Sequence, residues 1–197
     1  MSSSVTNANK NLPLIGVGLR HVHYHDALSS PSHVDFVEIH AENFFAKGGI
    51  TQALLEDIRQ QFPISLHATS LGLGSAESIP ESHISQLKTL VDKVQPILLS
   101  DHACFSWGQI NNLTAHAGDL LPIPFNDESL AIMSAQVSTV QKAMAQTILV
   151  ENLSAYLTPQ GSTMSEMSFL TMLCQQTDCR LLIDLNNLLV NAFNIGS

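Results

Sequence analysis

The sequence is poor in charge, and poorest in positive charge. Only 13% of its 197 residues are Asp, Glu, Lys or Arg, and 8 Lys+Arg stand against 17 Asp+Glu, a formal net charge of −9. A chain so acidic has no electrostatic footprint for a polyanion, which argues against nucleic acid as a partner. Cysteine is scarce as well. Cys104, Cys174 and Cys179 are odd in number, and without an export signal the C-x4-C pair reads as two core thiols rather than a disulfide. No apolar run reaches the ~18 residues that a membrane span needs, and residues 1–11 have neither the cationic start nor the apolar stretch of a signal peptide. The expectation is a cytoplasmic protein with no membrane contact. Neither G-x-G-x-x-G nor G-x4-G-K-[ST] follows the first apolar run, so the nucleotide-binding open-sheet folds lose their usual signature.

Apolar residues are plentiful at 45%, enough for one sizeable core. A polar N-terminal tail over residues 1–11 is expected to be disordered, with a single domain over 12–197. Short apolar runs at Leu14–Arg20, Val34–His40, Ile64–Thr69, Ile97–His102, Ile148–Asn152 and Leu181–Asn186 read as six strands. Amphipathic stretches separate them: Ile50–Gln61, Ile84–Val94, Asp127–Ala145 behind an Asn126 cap, and Ser165–Gln176 behind a capping-box pattern from Thr163 to Glu166. Strands apolar on both faces and joined by helices call for a parallel sheet covered by helices. The fold class is therefore α/β, a TIM-type (β/α)8 barrel with about six βα units present. The longest irregular stretch is the loop Gly108–Phe125.

Four runs finish on residues suited to metal or acid–base chemistry: His67, His102, Glu151 and Asp184, spaced 35, 49 and 33 residues apart. Those spacings are βα-unit lengths, and in a barrel they bring all four side chains to the C-terminal rim, where barrel active sites are assembled. Two carboxylates buried together without a cation would force one to take up a proton. A divalent metal removes that penalty and gives the imidazoles a partner. Asn187, in the segment D-L-N-N, can add an amide oxygen. The donors are nitrogen and oxygen without thiolate, which suits Fe, Mn or Zn alike.

Weaker candidates surround these. His21, His23 and His25 alternate as on one strand face and could bind metal, but a solvated βα loop is the better account of them. Arg20 ends the first strand of a cation-poor chain and is a candidate for a substrate carboxylate, with a structural ion pair as the alternative. Glu38, Glu42 and Asn43 cluster where the second strand meets its loop, either as supporting partners of the site or as rim stabilisers. Asp119 and His116 lie in the long loop and can reach the site or cap a turn.

The segments GVGLRHVHY, EIHAENFF-x-x-GG, SLHATSLGLGS, LLSDHACFS, GDLLPIPF, LVENLSAYL and LLIDLNNLLVNAFNIG resemble the multinuclear non-haem iron-dependent oxidases, over about Ile15 to Gly196. The resemblance implies a barrel of the xylose-isomerase and endonuclease IV type holding two or three iron ions at the strand C-termini. His67, His102, Glu151 and Asp184 match the ligand-bearing motifs; Asn187 and Asp119 lie in matching motifs. It further implies oxidation by O2 of cysteines in a ribosomally made precursor peptide, with a separate partner protein recognising that peptide. The chain departs from the family by stopping before the seventh and eighth strands. That implies missing ligands and open sheet edges, which a homo-oligomer or partner chain would cover, and it leaves room for an inactive form. Two other functions compete: a divalent-metal sugar isomerase or phosphodiester hydrolase on the same barrel, and a non-catalytic remnant or binding module.

Overall fold

The computed structural model describes residues 12–29 and 33–196; the expected tail over residues 1–11 lies outside them. Six strands form one parallel sheet in the order β1 (Gly16–Gly18), β2 (Phe36–His40), β3 (Ile64–His67), β4 (Leu98–His102), β7 (Leu149–Glu151) and β8 (Arg180–Leu182). Each strand pairs with the next along the chain, as a barrel wall does, and the sheet is not closed: β1 and β8 are its edges. The strands are shorter than the apolar runs that announced them: β3 stops short at its C-terminal end, β2 and β4 start late, and β1 is trimmed at both ends.

The helices fall where the apolar period placed them. α2 spans Ile50–Gln61 and buries Leu55 and Ile58; α4 spans Asp127–Met144 and buries Leu130, Met133, Val137, Val140 and Met144. Asn126 caps α4, its side chain accepting from Ser129 N at 2.9 Å. α3 spans Glu81–Val94, starting a turn earlier than its periodicity, directly after Pro80. α5 spans Glu166–Thr177, and here the capping box is corrected. Ser165 is the cap, its Oγ accepting from Ser168 N at 3.2 Å, while the Thr163 and Met164 amides are spent on Phe125 O. α6 spans Leu185–Asn194.

One further expectation changes. Gly108–Phe125 is largely ordered as a two-stranded antiparallel hairpin, β5 (Phe105–Ile110) with β6 (Leu113–Leu121). Asn111 and Asn112 both adopt positive φ, 53° and 64°, the backbone of a two-residue hairpin turn. His21, His23 and His25 follow the solvated-loop reading rather than a strand face: His21–His23 is a 3-10 turn leading into α1 (Tyr24–Ser29), and all three histidines are exposed. The cysteines are free, with Cys174 and Cys179 Sγ 3.8 Å apart.

The core lies between the inner strands and their helices, with Val37, Ile39, Leu66, Leu99 and Val150 under Leu55, Leu87, Val137 and Leu173. Apolar residues are exposed at the two sheet edges instead: Leu14, Ile15 and Val17 at β1, and Ile183, Leu185, Leu188, Leu189 and Phe193 after β8. Among the described residues no helix is long and apolar enough to cross a membrane.

Candidate metal centre

Register brings the central candidates together. His40 pairs with His67 across β2 and β3, His67 with Ser100 across β3 and β4, and His102 with Glu151 across β4 and β7. Neighbouring strands lie about 4.8 Å apart, so residues in register at one strand end can share a ligand. His67 Nε2 and His102 Nε2 approach Glu151 Oε2 to 3.6 and 3.7 Å, and the two imidazole rings stand 4.8 Å apart. One ligand atom from each residue lies within 4.8 Å of the other two, and all three side chains are buried.

Each side chain is aimed by a neighbour. Ser100 Oγ lies 2.8 Å from His67 Nδ1, which leaves Nε2 to face Glu151. Asp101, wholly buried, accepts from Leu71 N at 2.9 Å and His102 N at 2.6 Å, and its carboxylate stands 3.8 Å from His102 Nδ1. His102 Nδ1 has no hydrogen-bond partner among the described residues. Asn187 Nδ2 donates to Asn152 O at 2.9 Å and to Glu151 Oε1 at 3.4 Å, so its amide nitrogen is turned toward the carboxylate.

Electrostatics follow from burial. Desolvation, assisted by His102 and His40, lowers the His67 pKa to about 4, so that imidazole is neutral with a lone pair to offer. Burial works against protonation of His102 too, but the adjacent carboxylates of Asp101 and Glu151 raise its pKa on balance. Desolvation raises Glu151 to about 7 despite His102, with Asp184 and Glu38 adding to the rise. A carboxylate this costly to ionise beside two convergent imidazole nitrogens could hold a cation, and its donor set fits Fe, Mn or Zn.

The other candidates are not in the triad. Asp184 follows β8 and caps α6, its Oδ1 accepting from Asn186 N at 2.7 Å and Asn187 N at 3.0 Å. Asp119 is exposed on β6 and accepts from Tyr156 OH at 3.0 Å. Glu42, in the 3-10 turn Ala41–Phe44, accepts from Thr69 N and Ser70 Oγ through Oε1, while Oε2 is buried and unpartnered among the described residues. Arg20, His23 and Asn43 are exposed at the rim of β1 and β2. His116 stacks edge-on against Trp107 at 4.8 Å.

Three residues escaped sequence reasoning. Asp101 and Ser100 sit in S-D-H beside a recognised ligand, where strand alternation throws Asp101 onto the opposite face and Ser100 onto that of His102. His40, in register with His67 and 5.5 Å from its ring, was legible from the strand end Val34–His40.

The fold and site together define an open, barrel-like parallel α/β sheet with a buried histidine–carboxylate cluster at its strand C-termini that could hold a metal ion. The chain belongs to the family described as RiPP precursor modification enzyme MbnB/TglH/ChrH, which it matches over residues 14–197. It is 40% identical over 185 residues to a UPF0276 protein of Rhizorhabdus wittichii and 41% over 184 residues to UPF0276 protein VP3015 of Vibrio parahaemolyticus, covering 93% of this chain in each case. It spans 65% and 62% of those relatives' lengths, a little under two thirds. Among solved structures it is similar in fold to D-psicose 3-epimerase from Clostridium cellulolyticum H10, with TM-score 0.60 and 12% identity over 93% of this chain and 68% of that one. Endonuclease IV from Thermus thermophilus gives TM-score 0.53 and 14% identity over 93% of this chain and 72% of that one.

Proposed function

We propose that this chain forms the metal-holding part of an iron-dependent oxidase that uses O2 to modify cysteine residues of a ribosomally made precursor peptide in the cytoplasm. The observation that carries this reading is the convergence of the buried His67 Nε2, His102 Nε2 and Glu151 Oε2 at the strand ends. Membership of a precursor-peptide modification family supplies the substrate class. Bound iron, two or three ions in the complete assembly with Zn or Mn as alternatives, would supply Lewis acidity toward a thiol and electron exchange with O2.

The residues do the rest. Ser100 holds the His67 ring so that Nε2 stays a donor, and Asp101 restrains the strand end that presents His102. Glu151 supplies the negative charge that offsets the cation. Asp184 and Asn187 buttress the Glu151 side of the site and are further ligand candidates, as is Asp119 once its loop approaches. Arg20, His23, Glu42 and Asn43 line the side from which substrate arrives. We also infer a separate peptide-recognition protein, and we assign the apolar edges at β1 and β8 to a covering chain, either that partner or a second copy.

The test is O2-dependent mass change of cysteine-containing precursor peptides encoded beside the gene, with protein purified without oxygen and loaded with iron. No mass change in any candidate peptide, together with turnover of a ketose by the Mn-loaded protein without O2, would replace the oxidase with the sugar-isomerising reading. Neither activity, with no bound metal, would mark a non-catalytic remnant.

A further inference from the structure

The largest cavity described at the barrel rim, about 660 Å³, is lined by Arg20, His21, Tyr24, His40 and Asn43 over a floor that includes Leu19 and Leu54. No acidic side chain lines it. The nearest acid in sequence, Glu42, is turned away, with Oε1 held by Thr69 N and Ser70 Oγ. Asp26 on α1 faces His25, and both are exposed.

Arg20 has neither an ion pair nor a side-chain hydrogen bond among the described residues. Other cations do find partners: Arg59 meets Glu56, Lys88 meets Asp92, and Lys93 donates to Gln52. Lys47, Lys142 and Arg180 also lack a carboxylate partner among the described residues, but none of them lines this cavity. His40 connects the cavity to the metal triad, since its ring forms part of the wall and stands 5.5 Å from the His67 ring. A guanidinium presents a planar fork matched to a carboxylate, and two imidazoles and an amide add neutral donors around it.

We propose that this cavity is a carboxylate-binding subsite in which Arg20, with His40 and Asn43 alongside, anchors an anionic end of the substrate while the reacting group extends past His40 to the triad. The inference rests on the metal-centre reading only for the direction of that extension. A peptide C-terminus and an aspartate side chain present the same group, and both could reach the site.

The experiment is calorimetric titration of the whole chain with probes that lack a thiol, so that neither iron nor turnover enters. N-acetylalanine presents a terminal carboxylate, N-acetylaspartic acid α-amide a side-chain carboxylate, and N-acetylalaninamide none. At least one carboxylate probe should bind about tenfold more tightly than the amide, the usual worth of one charge-assisted contact. The tighter of the two identifies the source. The preference should fall below about twofold in Arg20→Gln, a surface substitution whose melting curve should match the parent. Equal binding of all three probes overturns the subsite, as does a preference that survives Arg20→Gln unchanged. Either result leaves the metal centre untouched, and a chain that binds no metal but keeps the Arg20-dependent preference would sink the oxidase reading alone.

Discussion

The inner strands β2, β3, β4 and β7 and the outer strands β1 and β8 have the same parallel pairing and different fates. The inner ones are flanked by neighbours on both sides, and β3 is buried at every position. β1 exposes Val17 and Gly18, and β8 has no fully buried residue. The candidates that converge, His67, His102 and Glu151, all end inner strands. Of those that stay apart, Arg20 and Asp184 follow outer ones, while Glu42 and Asn43 sit in the turn after β2 rather than in the strand itself. A ligand cluster needs side chains held to within an ångström or so, and that precision comes from strands locked from both sides.

The sharpest break between the two regions is in stability. Leu66→Ala, in β3 at 0% exposure, should cost about 2 to 5 kcal/mol, because it leaves a cavity among packed neighbours. Val17→Ala in β1, at 46% exposure, should change stability by less than about 0.5 kcal/mol. Chemical denaturation of both variants measures the contrast. Equal losses would mean that β1 is packed against something in solution, and the edge would then be an interface.

The same contrast applies to metal. Glu151→Gln keeps the shape and removes the charge that both imidazoles face, so metal affinity should fall at least about 100-fold, beyond the cost of losing an outer partner. Asp184→Ala should lose about 1 kcal/mol of helix-cap stability and change metal affinity by less than about tenfold. If Asp184→Ala proves as damaging to metal as Glu151→Gln, its carboxylate leaves the α6 cap to join the centre, and the outer region contributes after all. Asp101→Asn sits between these. It keeps an acceptor for Leu71 N but removes the buried charge beside His102, and competition with a chelator should show a loss of about 10- to 100-fold.

Much of this contrast was legible before any coordinates. The βα spacing placed His67, His102 and Glu151 at strand ends, and the apolar period placed α2 at Ile50–Gln61, because both signals are local and repeat along the chain. What escaped depends on pairing across the sheet. Ser100 aims His67 only because their strands are in register, and Asp184 is drawn into capping because α6 begins immediately after it. The hairpin was missed because β5 and β6 expose much of both faces, so no alternation of apolar and polar residues marks them. Asn111–Asn112 carried the turn signal alone.

The smallest effect tests whether the inner cluster behaves as one electrostatic unit. Without metal, Glu151 holds its proton up to about pH 7, so below that pH a cation must displace it. Apparent metal affinity should therefore fall by about tenfold per pH unit as pH drops from 7 to 5.5, more steeply if the raised His102 also releases a proton, while His67, at about 4, contributes none in that range. In the metal-free chain Glu151 works the opposite way and outweighs His67, whose pKa, lowered from 6.5 to about 4, favours the fold as pH rises through 6.5. A carboxyl whose folded pKa is raised stabilises the fold most below its unfolded value, near 4.5, and that contribution fades as pH rises through about 7. Added metal should reverse the trend and make the protein more stable at pH 8 than at pH 5.5. Melting curves at both pH values, with and without Zn(II) as a redox-silent probe, give four numbers; a metal-induced gain that is the same at pH 5.5 and 8 would show that the ion is held elsewhere than on Glu151.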